Sequence, residues 1–161
     1  KAEEEAAAKK KAEEEEAARK KAEAAAKREK RKSRIIHTGL KDLISRLGKI
    51  EGYIAAGVLS PSGKLVTHNA TDQNIDLDKL GPTFNTLFRQ ARKTSTELGF
   101  EPCREAVFSY AERAVIMRCS GAEAVIHFHL LTIMASCRTL DLVIKEMNAF
   151  HSQIQEELAK I

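Results

Sequence analysis

Two histidines two residues apart, His127 and His129, and three cysteines, Cys103, Cys119 and Cys137, are the side chains with most chemistry to offer. On a strand, residues at i and i+2 share a face, so the two imidazoles stand together and are able to ligate a metal. A third ligand is not obvious from spacing. With a tight turn at Ser120-Gly121, Cys119 falls opposite a residue near Ala124, about 10 Å along the strand from His127. Cys137 lies on the following element and can approach. The expectation is therefore no metal site, with both histidines satisfied between sheet and helix or at a subunit boundary. A cysteine nucleophile needs a base and an orienting group that spacing does not supply. Cys119 and Cys137 sit among apolar neighbours, where a thiol is usually inert packing. Three widely spaced cysteines suit free thiols in a reducing compartment, and a cytoplasmic location is expected.

Other chemistries find less support. Ser60-Pro61-Ser62-Gly63 and Cys119-Ser120-Gly121 are glycine turns without the Lys-Ser/Thr ending of a phosphate loop. Glu112 and Glu123 flank expected turns and read as solvated, which leaves no acid/base carboxylate pair. There is no tryptophan, and no strand shows the exposed aromatic and basic residues of a single-strand nucleic-acid platform. The chain is expected to be no enzyme, to carry no catalytic, cofactor-binding or metal residue, and to bind no nucleic acid.

The elements that position these residues follow from periodicity. Leu40, Leu43, Ile44, Leu47 and Ile50 form one apolar helical stripe, closed by Gly48 and Gly52. Tyr53 to Leu59 is a strand-type run, Ser60 to Gly63 a turn, and Lys64 to His68 a second strand. Asp76 or Asp78 can cap a second helix, with Pro82 in its first turn. Leu80, Phe84, Leu87, Phe88, Ala91 and Leu98 stripe this helix, Thr86, Arg89, Gln90 and Lys93 face away, and Gly99 and Pro102 close it. Strands are then expected over Arg104 to Tyr110, Ala114 to Cys119 and Glu123 to Leu131. A final helix carries Leu140, Val143, Ile144, Met147, Ile154 and Leu158 on one stripe. The expected fold is α+β: helix-strand-strand-helix-strand-strand-strand-helix, a five-stranded antiparallel sheet covered by helices on both faces.

The first 34 residues differ in kind. Three near-copies, KAEEEAAAKK, KAEEEEAARK and KAEAAAKREK, contain no apolar residue larger than alanine. Strong helix formers and Glu-to-Lys/Arg pairs four apart support a charged, solvated helical spacer. Alanine alone makes a weak coiled-coil seam, and a ten-residue repeat drifts around the helix. The composition resembles that of TolA-type spacers. This segment holds 13 Lys/Arg against 9 Asp/Glu, so the whole excess of +4 lies outside the folded part, residues 35–161. Lys27, Arg28, Lys30, Arg31, Lys32 and Arg34 form a basic cluster that could touch anionic lipid or nucleic acid, but a solvated helix end is the expected reading. No apolar run is long enough to span a membrane, and no signal peptide is recognisable. The chain opens on Lys1 and is expected to be a piece of a longer protein.

The element order, with Leu43, Leu47, Ile50, Gly52, Val58 and Ser62-Gly63 at their spacings, resembles the Roadblock / dynein light chain domain family over roughly Thr38 to Leu158. Profilin-like and longin-like sheets share much of this order. The family's Asp-Gly at the first hairpin is Ser62-Gly63 here, and Glu51-Gly52 lacks the family's proline. The resemblance implies a non-catalytic module that forms a homodimer or a roadblock-like heterodimer. Such a module serves as scaffold or regulator of a small Ras-like GTPase or of a motor or cytoskeletal complex. In that family the second helix and the strand after it build the dimer contact. The corresponding residues are Phe84, Leu87, Phe88 and Ala91, with Ala106, Phe108 and Tyr110, which are otherwise ordinary core. The alternative is a small-molecule sensor of profilin- or PAS-like architecture. It requires a cavity beside Ala55, Ala56, Gly57, Ala106 and Ala124, with His127 and His129 among its polar groups.

Overall fold

A computed structural model describes residues 2–121, 124 and 126–159, and within the first helix the side chains of 15–27, 30 and 38–45. The chain divides into two units, Lys1–Ile35 and Ile36–Ile161. Helix α1 (Ala2–Ser45) begins in the first and ends in the second. In the first unit the described side chains are all exposed. Lys20 pairs with Glu16 at 2.7 Å and Lys27 with Glu23 at 3.9 Å. Pairs this exposed add a few tenths of a kcal/mol each, roughly 0.2–0.5. Of the basic cluster, Lys27 and Lys30 are exposed; the side chains of Arg28, Arg31, Lys32 and Arg34 lie outside the described residues.

In the second unit, the end of α1 passes into a 3-10 turn at Arg46–Lys49. Then come β1 (Tyr53–Leu59), β2 (Leu65–Ala70), α2 (Leu77–Glu97), β3 (Glu105–Ser109), β4 (Ala114–Cys119), β5 (His129–Met134) and α3 (Leu140–Leu158). The sheet runs β2-β1-β5-β4-β3, with each neighbouring pair antiparallel. This is the α+β class expected from the sequence. β5 is central and buried at every position, while β2 and β3 form the edges.

Each face of the sheet has its own core. On one, Leu40, Ile44 and Leu47 join Val143, Met147, Phe150 and Ile154 of α3 over Val58, Ile116 and Leu130. On the other, Leu77, Phe84 and Phe88 of α2 cover Leu59, Val115, Met117, Leu131 and Ile133. Alternation along the strands sorts residues between the faces: Val115 and Met117 go to α2, Ala114 and Ile116 to α3. Burying one such side chain stabilises by about 1.5–3 kcal/mol.

The ends of α2 are set by local chemistry. Asp76 caps it, its Oδ1 accepting from the Lys79 backbone N–H at 3.1 Å. Gly99, at φ +75°, closes it: Gly99 N–H donates to Thr96 O and Phe100 N–H to Ser95 O. Pro82 lies inside the helix, not in its first turn, because the cap is Asp76 and the helix begins at Leu77.

Three expectations need correction. The strand placed over Glu123 to Leu131 is β5, His129–Met134. Ser120-Gly121 is not a two-residue hairpin. Ser120 and Phe128 close a longer loop: Ser120 N–H donates to Phe128 O, and Phe128 N–H donates to Ser120 Oγ. Glu123 itself lies outside the described residues. Leu87 and Leu98, assigned to the buried stripe of α2, are 47% and 63% exposed, and Asn85 and Leu77 occupy the core instead.

Candidate functional site

The register of β4 against β5 pairs Cys119 directly with His129. Directly opposed residues share a face, and His127 lies two positions before His129 on that face. Cys119 Sγ therefore stands 3.0 Å from His127 Nε2, hydrogen-bonded through whichever group carries the proton. This overturns the separation of about 10 Å expected from a tight turn. One ligand atom from each of Cys119, His127 and His129 lies within 4.8 Å of the others. Cys119 and His129 are buried and His127 is exposed.

Asn85 of α2 orients the cluster. Its Nδ2 donates to Pro61 O at 3.3 Å, which turns Oδ1 toward His129. An amide oxygen only accepts, so His129 Nδ1 carries the proton and donates it to Asn85. His129 Nε2 is then a bare lone pair, buried and without a hydrogen-bond partner. Phe88 meets the His129 ring edge-on at 5.3 Å, and the two imidazoles lie 5.0 Å apart between centroids. Gly121 N–H donates to Cys119 Sγ at 3.3 Å. Burial first, then the charges of His127, Arg92 and Arg89, pushes the His129 imidazole down to about 4. Burial first and Arg92 second also hold His127 below its ordinary value. Both rings thus favour the neutral form near pH 7.

The histidines open onto a cleft of about 460 Å³, lined also by Pro61, Ser62, Arg89 and Arg92. Arg92 is anchored by donating to Cys103 O at 2.9 Å. Cys119, 3% exposed, is not part of that lining. A thiol beside an imidazole is the pairing of a cysteine nucleophile, but a sulfur this covered is out of reach of a substrate carbonyl. Spacing pointed to the two histidines. It missed Asn85 and Arg92, whose signal was a polar residue on the buried stripe of α2 and a cation one turn beyond Phe88. The space required by a sensor beside Gly57 is filled: a Cβ there would lie 2.8 Å from Leu65 Cδ1 and 3.5 Å from Leu77 Cδ1.

The residues expected at a partner surface divide by burial. Phe84 and Phe88 are buried within the chain, and Ala91, Ala106 and Phe108 are half-buried. Leu87 and Tyr110 are 47% and 54% exposed. Phe84 and Phe108 rings meet at 5.3 Å, so α2 and β3 join there, and Leu87 lies one helical turn from that contact. The expectation that Arg104 to Tyr110 is a sheet edge matches the position of β3. Among the described residues, no helix is long and apolar enough to cross a membrane.

No family model and no curated protein matches the chain. Solved structures do. Myxococcus xanthus MglB is similar with a TM-score of 0.63 at 14% identity, over 78% of this chain and 96% of that one. An MglB with tetrameric arrangement gives 0.65 at 13% identity, over 74% and 88%. A Roadblock/LC7 domain from Streptomyces avermitilis gives 0.61 at 14% identity, over 70% and 90%. At such identities the likeness speaks for architecture, and it agrees with the sheet order and helix placement above: the chain has the Roadblock/LC7 domain fold.

Proposed function

We propose that the second unit is a non-catalytic protein-interaction module that pairs with a second copy of itself or with a similar domain. The observation that carries this reading is the edge strand β3, joined to α2 where Phe84 meets Phe108, with Leu87 exposed one helical turn along α2 and Tyr110 exposed just past the strand. Val107, on β3 itself, is 39% exposed. An edge strand offers unpaired backbone groups to another chain, and apolar neighbours add burial. One of the similar structures is itself a tetrameric arrangement of MglB, which supports assembly as a property this fold can carry. The resemblance to roadblock domains supplies the finer reading, a scaffold or regulator of a small Ras-like GTPase or of a motor or cytoskeletal complex. The charged helix of residues 1–34 acts in this reading as a spacer for the module.

Leu87→Glu and Tyr110→Asp test the surface, because both side chains are exposed and neither holds the core together. Each should weaken self-association at least about tenfold, or about 1.4 kcal/mol, in sedimentation equilibrium. Self-association unchanged by both substitutions overturns the surface. A pull-down from extract loaded with GDP or a GTP analogue, scored for small GTPases, tests the finer reading. Recovery of a GTPase that Leu87→Glu leaves intact would place that partner elsewhere on the module, and recovery of none counts against GTPase regulation.

A further inference from the structure

We infer that Cys119, His127 and His129 form a binding site for a borderline-soft divalent metal ion of the zinc class, with three protein ligands and a fourth position open to the cleft. The donor set is one sulfur and two imidazole nitrogens, the set that zinc accepts in tetrahedral geometry. Bond lengths of about 2.3 Å to sulfur and about 2.0–2.1 Å to nitrogen require ligand atoms roughly 3.3–3.6 Å apart. The three atoms already lie within 4.8 Å of one another, with sulfur and His127 Nε2 at 3.0 Å. His127 is exposed, so its ring can turn to set its distance to the other two donors.

The surroundings carry the inference further than the cluster alone. His129 Nε2 is a buried lone pair with no partner, on a residue 2% exposed. A buried polar atom left unmatched keeps its full desolvation cost, and a metal removes that cost. Its other nitrogen donates to Asn85 Oδ1, the arrangement by which a second side chain fixes the tautomer and direction of a ligating imidazole. Gly121 N–H points at Cys119 Sγ, as suits a thiolate. On binding, the Cys119 thiol gives its proton to the buffer and the ion takes the sulfur's electron pair. Arg89 and Arg92 line the open side. With a dication and one thiolate already present, their charges favour an anion such as chloride, hydroxide or a carboxylate in the fourth position.

The test uses the whole 161-residue chain, reduced, freed of metal by chelation, and titrated with cobalt(II) as a spectroscopic stand-in for zinc. One equivalent should produce a thiolate-to-cobalt charge-transfer band and the strong visible bands of a four-coordinate ion, and zinc should abolish both. Cys119→Ser should remove the charge-transfer band. His127→Ala, at an exposed position, should weaken binding by at least tenfold while leaving the circular dichroism unchanged. Cys137→Ser, outside the cluster, should behave as the parent. A folded parent chain that develops no charge-transfer band, or a band that survives in Cys119→Ser, or affinity unchanged in His127→Ala, overturns the site.

Discussion

Asn85 joins three pieces of the molecule through one amide. It sits on α2, donates to Pro61 in the β1–β2 turn, and accepts from His129 on β5. Asn85→Ala leaves a buried N–H and a carbonyl unmatched. The expected cost is about 1–3 kcal/mol, read as a lower urea midpoint with unchanged slope. The neighbouring turn imposes a second demand. Gly63 has φ +89°, and a Cβ on it would lie 2.9 Å from the Asn85 Cβ and 3.1 Å from the Pro82 Cα. Gly63→Ala therefore meets a strained backbone and an occupied space at once. It should destabilise by more than about 1 kcal/mol in the same measurement, and a neutral result would contradict the close packing of α2 on this turn. The His127/His129 pair was visible as a two-residue spacing on an expected strand. Their partner Cys119 was not placed, because its position depends on a long-range register.

At the scale of elements, helix ends and hairpin turns are written in local chemistry. Asp76, Gly99, and Ser60 to Gly63 do what their residue types dictate. Replacing Asp76 by Ala should cost about 1 kcal/mol, measured by thermal unfolding, since Lys79 N–H loses its acceptor. β4 was legible to the residue, because Ala114 to Cys119 is a short run, apolar but for Arg118, between turn signals. β5 was not. The stretch around it is apolar on both faces, since a central strand is covered by helices on both sides, and a run without alternation does not mark its own ends. Ser120-Gly121 imitates a hairpin turn. What sets the real loop is the pairing of Ser120 with Phe128, a contact that no local pattern announces. On α2, the sequence stripe was broad enough to include Leu87, and only packing shows that the buried line runs through Leu77, Phe84, Asn85 and Phe88.

For the whole molecule, the two units rest on different physics. Residues 1–34 contain nothing apolar larger than alanine, so their helix relies on propensity and exposed ion pairs. The second unit has a core on each face of its sheet. A chain shortened to begin at Ile36 should unfold in urea within about 0.5 kcal/mol of the full chain; a larger loss would mean that the first unit contributes to the stability of the second. The edge strand and its exposed apolar neighbours are the feature on which the proposed role in association rests. Light scattering on the size-excluded full chain, at about tens of micromolar, bears on that role most directly. A 17.9 kDa chain that pairs through β3 and α2 elutes with a mass of about 36 kDa, shifting toward the single-chain value in Leu87→Glu. A parent chain that remains at 17.9 kDa across that concentration range contradicts pairing with a second copy of itself.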